Sequence, residues 1–333
     1  MSSKNNVYDA LIFIALIAFT GFAFSIGLKG IFLLDDHHNI GPAIVNSFNV
    51  NELIEAISNN HSGILGRPIS VLSFSLTGLA HGYDAWGFKY HNILIHLLLG
   101  IAVYCTSKRL LNILSYKTAQ NYQTALLTTS IWLLHPLQVS TVMYAVQRMT
   151  QLSALFTVLA ILVFLTAIQT ESKNKKIIYY FIVFPITLIL SLFSKENGVL
   201  IPIFIGLITL AILYSSTDTS LDIKHRLKTN IYDKLFVALF ILLPIIVGTV
   251  GLTIKFDSII DYSARPFDIW QRLLAQIDFI FLYINQLILP RLSEMGLFFD
   301  DYPIPQGMTY LRASKLALIS CLLYTSPSPR DRG

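Results

Sequence analysis

The stretch "IIYYFIVFPITLILSLFSKENGVLIPIFIGLITLAILY", residues 177–214, decides the fold class. Two uncharged apolar runs, 177–194 and 199–214, flank a short polar turn. Each run approaches the ~20 residues that an α-helix needs to cross ~30 Å of hydrocarbon. The turn is too short for anything but a tight reversal, so a hairpin of two membrane helices is expected, with Lys195 and Glu196 at its tip.

Comparable runs recur at 10–28, 90–107, 122–140, 150–170 and 235–254, which makes seven expected spans. An eighth segment, 273–290, carries Asp278, Asn285 and Gln286 and stays open between a span, an interfacial helix and a re-entrant segment. The run 68–83, "PISVLSFSLTGLAHGY", is short and rich in Ser and Gly. It suits a helix lying along the membrane surface better than a span, as does 50–59 beside it. The first run is too long for the core of a signal peptide and lacks a small-residue cleavage site, so it is read as an uncleaved first span.

Composition agrees with this reading. The 333 residues are 54% hydrophobic and only 13% charged, with mean hydropathy +0.62; soluble domains carry roughly twice that charge. The net charge of +5 comes from clusters between apolar runs, which argues against a nucleic-acid face. Two cysteines, Cys105 and Cys321, make neither a disulfide framework nor a zinc spacing.

Charge also sets sidedness. With the N-terminus inside, the inner segments hold Lys4, then Lys108, Arg109 and Lys117, then Lys173, Lys175 and Lys176, then Lys224, Arg226, Lys228 and Lys234. The outer connections as far as Lys195 hold only Lys29, Arg67, Lys89, Arg148 and Lys195, although the first of them is the longest loop. That is the positive-inside bias.

The remaining polar groups collect in the outward loops. The first loop contains "IFLLDDHHNI", with Asp35, Asp36, His37 and His38, then Arg67, and its end puts His91 and Asn92 at the mouth of span 2. The second, "LLHPLQVSTVMYAVQRMTQL", contributes His135, Gln138, Gln147 and Arg148. The third contributes Lys195 and Glu196. Polar groups kept in a membrane protein mark functional sites by default, and one acidic cluster facing several cations on one membrane surface has the layout of a site. Each group also has a plain reading: solvated helix ends for the aspartates, an interfacial ion pair for Lys195 and Glu196, and backbone-bonded helix histidines for His91, His96 and His135. A metal role for His37 and His38 is the weaker reading, because adjacent imidazoles diverge and further ligands would be needed.

No phosphate-binding loop and no dinucleotide fingerprint occurs. Any group transfer therefore calls for a donor that reaches the outer face through the membrane, and a polyprenyl-phosphate sugar fits. A second acidic pair, Asp300 and Asp301, could approach the site if 255–314 is one outward region. An ordinary loop pair before two prolines is the simpler reading of it.

The order "DD" after span 1, then "RPISVLSF", "YHNILIHLLLG", "HPLQVSTVMYAVQRMTQLSALF", "SKENGVLIP" and "RLLAQIDFIFLYINQLILPRLSEMGLFFDDYPIP" resembles the C-type integral-membrane glycosyltransferases (GT-C fold). Within them it is most similar to the protein O-mannosyltransferase-like group, which includes TPR-bearing transmembrane O-mannosyltransferases and bacterial relatives. The resemblance covers about residues 10–310 and implies an all-α polytopic membrane protein whose long first outward loop carries interface-plane helices. It further implies inverting transfer of a sugar, mannosyl-like, from a polyprenyl-phosphate donor to a protein Ser/Thr hydroxyl or a glycolipid at the periplasmic face of a bacterial inner membrane. Asp35 or Asp36 would be the general base, with Asp36 favoured. Arg148, Lys195 and Arg67 would hold the donor phosphate, His91, His135 and Gln138 would contact substrate or support those that do, and Glu196 would orient Lys195. No cofactor or divalent metal is expected. The TPR repeats common in that group are missing. The last residues, "CLLYTSPSPRDRG" (321–333), look like translated sequencing adaptor, so residues 1–320 are expected to form the catalytic domain of a longer native chain.

Two other classes fit part of the pattern. A transporter or lipid flippase would place ionisable groups near the bilayer midplane, whereas here they lie at span ends. A metal-dependent membrane hydrolase would use the Asp35–His38 cluster.

Overall fold

The computed structural model describes residues 2–60, 63, 65–114, 118–215, 217–254, 266–291 and 295, and among them every regular element is helical. Among the described residues six helical segments are long and apolar enough to cross a membrane: Tyr8–Lys29, Ala85–Leu114, Ala145–Gln169, Lys173–Ser194, Glu196–Tyr214 and Ile231–Gly251. Large apolar side chains such as Leu98, Leu207, Leu210 and Ile246 lie exposed on these segments. Such surfaces are untenable in water and suit lipid. The chain is therefore a multi-pass, all-α membrane protein. Asp300, Asp301 and residues 321–333 lie outside the described residues.

The helices of the first compact unit, residues 1–248, are α1 (Ser2–Ser25), α2 (Asp35–Ile40), α3 (Val50–Ser58), α4 (Pro68–His81), α5 (Ala85–Leu114), α6 (Thr118–Leu134), α7 (Gln138–Met143), α8 (Arg148–Gln169), α9 (Lys173–Ile178), α10 (Phe184–Ser194), α11 (Ile201–Tyr214), α12 (Asp218–Thr229) and α13 (Ile231–Val237). The last span continues into α14 (Leu243–Ile254). In the second unit, 249–333, all but the last two residues of the segment left open in sequence lie in a continuous helix, Ile269–Ile288, started by a reciprocal cap between Asp268 and Gln271 and burying Asp278 and Gln286.

One expected span has other bounds than its apolar run. The run 122–140 does not form one helix: α6 starts at Thr118 and stops at Leu134 after 17 residues, about 26 Å of rise, at the lower end of what crosses the hydrocarbon. Pro136 is the cause, because its ring disfavours helical backbone at His135, and the chain turns before starting α7. The two helices expected in the first loop are present as α3 and α4.

Helix α5 is the hub, packing against α1, α6 and α8, and α8 packs in turn against α10. Among the described residues two larger apolar cores result, with a small third one at Phe24, Ile93 and Val142. One gathers Ile113, Phe164, Ile168, Tyr180, Phe184 and Phe236. The other joins Ile40, Phe74, Phe88, Tyr144 and Met149, which seats the first-loop helices on the starts of α5 and α8.

Between α9 and α10, and again between α13 and α14, one turn widens to a π-helix, Tyr179–Val183 and Ala238–Leu242. Each ends two residues before a proline, Pro185 or Pro244. Proline lacks an N–H and clashes with the carbonyl four residues back, and the wider turn relieves both defects. Just before these turns Lys176 Nζ donates to both oxygens of Asp233 at 2.7 and 2.9 Å, and Tyr180 Oη donates to Asp233 Oδ1 at 2.7 Å. Lys176 and Asp233 are 2% and 0% exposed, so neither charge has water to fall back on. Removing one partner of a buried pair costs about 3–5 kcal/mol, while replacing both by apolar residues is often nearly neutral. Lys176→Met and Asp233→Leu singly are thus expected to lower the unfolding temperature sharply, and the double variant to recover most of the loss, as read by thermal unfolding in detergent.

Candidate functional site

The three loops singled out in sequence meet at one end of the bundle, and Asp36 ties two of them together. It is fully buried. Its Oδ2 accepts from Leu33 N at 2.9 Å and its Oδ1 from Val146 N at 2.7 Å, just before α8. Asp35, next along α2, is exposed. Its backbone N–H donates to Tyr144 Oη at 3.0 Å, and the Tyr144 hydroxyl also interacts with the Asp35 carboxylate. Burial pushes that hydroxyl above its ordinary value, so it keeps its proton at neutral pH. Adjacent carboxylates that sequence could not separate are thereby divided: Asp36 faces inward as a backbone tether and Asp35 faces out.

Lys89 stands behind Asp36. Its side chain is only 3% exposed, and among the described residues it makes no hydrogen bond or ion pair, feeling Asp36 through space. A Cβ at Gly30 would collide with its ammonium, so glycine at that position makes room for it. Burial pushes the Asp36 carboxyl above its ordinary 3.8, against the opposing pull of the Leu33 and Val146 N–H groups, Lys89 and Ala145. A carboxyl whose pKa is raised on folding binds its proton more tightly in the folded state. Its contribution to stability is full below 3.8 and is lost as pH rises through the folded value. The wild type is therefore expected to lose stability between pH 4 and pH 7 relative to Asp36→Asn, which lacks this titration; matched thermal unfolding of the two across that range checks it.

Arg148 does not sit where a phosphate ligand is expected. It is 1% exposed. Its Nε donates to Asn92 Oδ1 at 2.8 Å, Nη1 to Ser73 O at 3.0 Å and Thr77 Oγ1 at 2.7 Å, and Nη2 to Phe88 O at 2.7 Å. The guanidinium lies near the Phe74 and Phe88 rings, 5.1 and 5.2 Å from their centroids. Four of its five N–H donors are thus committed to neutral acceptors on α4 and α5. Asn92 completes the clamp by donating Nδ2 to Val142 O at 3.1 Å and Ala145 O at 3.3 Å. In this geometry Arg148 acts as a clamp on α4 and α5, with one N–H beyond the four so used.

Arg67 and Lys195 occupy the other side of the Tyr144–Thr150 segment. Arg67, in left-handed backbone (φ 48) before Pro68, donates Nε to both Glu196 oxygens at 3.1 and 3.3 Å and Nη2 to Glu196 Oε2 at 2.9 Å. Glu196 was expected to orient Lys195, yet its hydrogen-bonded partner is Arg67; Lys195 Nζ donates instead to Thr150 Oγ1 at 2.7 Å. Burial first, and then Arg67, lowers the Lys195 ammonium below its ordinary value, with Glu196 opposing. Two cations stand near one carboxylate here, which only Arg67 bonds, leaving a net positive charge for an anion. A Cβ at Gly63, which has φ +75, would strike Glu196 Oε1, so Gly63 packs directly against this pair.

The histidines disperse. His37 Nδ1 lies 2.8 Å from Tyr83 Oη, with Phe32 stacked on Tyr83, and His38 is exposed. His91 Nδ1 bonds Gly87 O at 2.8 Å and packs edge-on against His81 and Tyr90. His135 Nδ1 accepts from Leu137 N at 3.2 Å, a cap on the turn before α7, and Gln138 opens that helix. Among the described residues no group of three His, Cys, Asp or Glu side chains is placed to hold a metal ion.

Tyr144 is the site residue that sequence reasoning passed over, and Lys89 and Asn92 were placed on the outer side without a role. Lys89 has the one legible signal: a lysine on the outer side against the positive-inside bias. Compared with known proteins, the chain matches no family model, no curated protein and no solved structure.

Proposed function

We propose that this protein is a membrane glycosyltransferase moving a sugar from a polyprenyl-phosphate donor to a hydroxyl acceptor, a protein Ser/Thr or a glycolipid, with inversion, at the outer face of a bacterial inner membrane. The observation that carries the reading is the convergence of the exposed Asp35, the buried Asp36–Lys89 neighbours and the Lys195–Arg67–Glu196 group around one segment, Tyr144–Thr150.

In this reading Asp35 is the base and Asp36 positions it. The acceptor hydroxyl gives its proton to the Asp35 carboxylate as its oxygen attacks the anomeric carbon. The bond from that carbon to the donor's phosphate oxygen breaks, and the polyprenyl phosphate departs with the electron pair. Lys195 and Lys89 are the cations available to the charge that develops on it, because preorganised donors in a water-poor site stabilise such charge strongly. Arg67, held by Glu196, adds a directional donor. His91, His135 and Gln138 are the candidate sugar contacts.

Incubating the purified protein in liposomes with a labelled polyprenyl-phosphate hexose and hydroxyl acceptors tests this. A glycoside whose anomeric configuration is inverted relative to the donor is expected; a retained configuration would sink the single-displacement scheme. A transporter or flippase is the second reading, favoured by the buried Lys176–Asp233 pair between two spans. Movement of substrate across the liposome with no glycoside formed would select it.

A further inference from the structure

The ends of α5 and α8 away from Asp36 form a second polar site. From Arg148 to Gln169, α8 rises about 32 Å, close to one bilayer core, so the two ends of this helix pair meet opposite membrane surfaces. At the far end α5 and α8 enclose an open cavity of about 470 Å³ with Lys108, Arg109, Asn112 and Thr166 on its polar side and Cys105 and Leu162 on its apolar side. Its shape is held by Arg109 Nη1, which donates to Gln169 Oε1 at 2.9 Å, and by Asn112, whose Oδ1 accepts from Asn121 Nδ2 at 3.0 Å. That bond leaves the Asn112 amide N–H groups as donors. Lys108 is exposed and rests over the Tyr122 ring, 4.8 Å from its centroid. Among the described residues neither Lys108 nor Arg109 has a carboxylate within 4.0 Å.

Two adjacent cations with amide donors and no counter-charge call for an anion, and phosphate geometry suits the guanidinium. The cavity lies on the surface where the positive-inside bias places cytoplasmic charge, and basic pockets between spans on that side suit anionic lipid headgroups. We propose that this cavity binds a phosphate group, supplied by an anionic phospholipid whose acyl chains lie along the Cys105–Leu162 wall. The site is separate from the Asp35 end and does not depend on glycosyl transfer.

Native mass spectrometry of the full chain tests it with phosphatidylglycerol, phosphatidylcholine and inorganic phosphate as probes. Phosphatidylglycerol is expected to be retained over phosphatidylcholine. Each cation near such a surface contributes about a five-fold effect, so Lys108→Gln should weaken retention about five-fold and Lys108→Gln/Arg109→Gln about 25-fold. Lys228→Gln, an exposed basic residue on α12, should change nothing. Because Lys108 is exposed, its single variant remains informative if the double variant does not fold. Displacement of the lipid by millimolar inorganic phosphate would locate recognition in the phosphate itself. Binding of free phosphate without lipid preference would keep the anion site and assign it a soluble ligand. Equal retention of both lipids with no phosphate binding, or full retention by both variants, would overturn the proposal.

Discussion

Asp35→Asn is expected to lower glycosyl transfer by about 10²- to 10⁴-fold, the range that a positioned general base supplies, while the protein unfolds at the wild-type temperature. The separation follows from the geometry. Tyr144 is bonded by the Asp35 backbone N–H, which the substitution keeps, and the side chain itself is exposed. Asp36→Asn should behave differently. Both Asp36 oxygens accept backbone N–H groups, and an amide can accept with only one of its two terminal atoms. One donor of Leu33 or Val146 is left buried and unmet, at about 1–3 kcal/mol, so stability and transfer should fall together. Loss of activity at full stability in Asp36→Asn, with Asp35→Asn fully active, would exchange the two roles.

Arg148→Lys is expected to damage the fold severely. Lysine keeps the charge but not the planar fork, and no single ammonium can reach Asn92, Ser73, Thr77 and Phe88 from the directions the guanidinium uses. At least two buried acceptors lose their donor, for a destabilisation of roughly 3 kcal/mol or more, visible as a large fall in unfolding temperature and poor recovery from the membrane. A variant that unfolds like the wild type but no longer binds a polyprenyl-phosphate donor would return Arg148 to the role of phosphate ligand.

The spans were legible because a bilayer demands long uncharged runs and leaves little else for such runs to do. Where the run itself misled, at 122–140, a single proline inside an apolar stretch cut one helix into α6 and α7, and hydropathy does not register that steric effect. The meeting of the three loops was legible from sidedness alone. The partners within it were not, because they are set by packing. Two of the four Arg148 bonds go to backbone carbonyls, of Ser73 and Phe88, which no sequence pattern marks. Glu196 turns to Arg67, distant in sequence, in preference to its neighbour Lys195. The division between Asp35 and Asp36 depends on which side of a six-residue helix faces Val146, and adjacent identical residues carry no signal of that.

Transfer in liposomes measures the central claim most directly, by following labelled glycoside and released polyprenyl phosphate together in wild type and Asp35→Asn. The account predicts equal molar amounts of the two products from the wild type, and neither above background from the variant. Equal glycoside formation by both proteins, or consumption of donor without any release of polyprenyl phosphate, would contradict it.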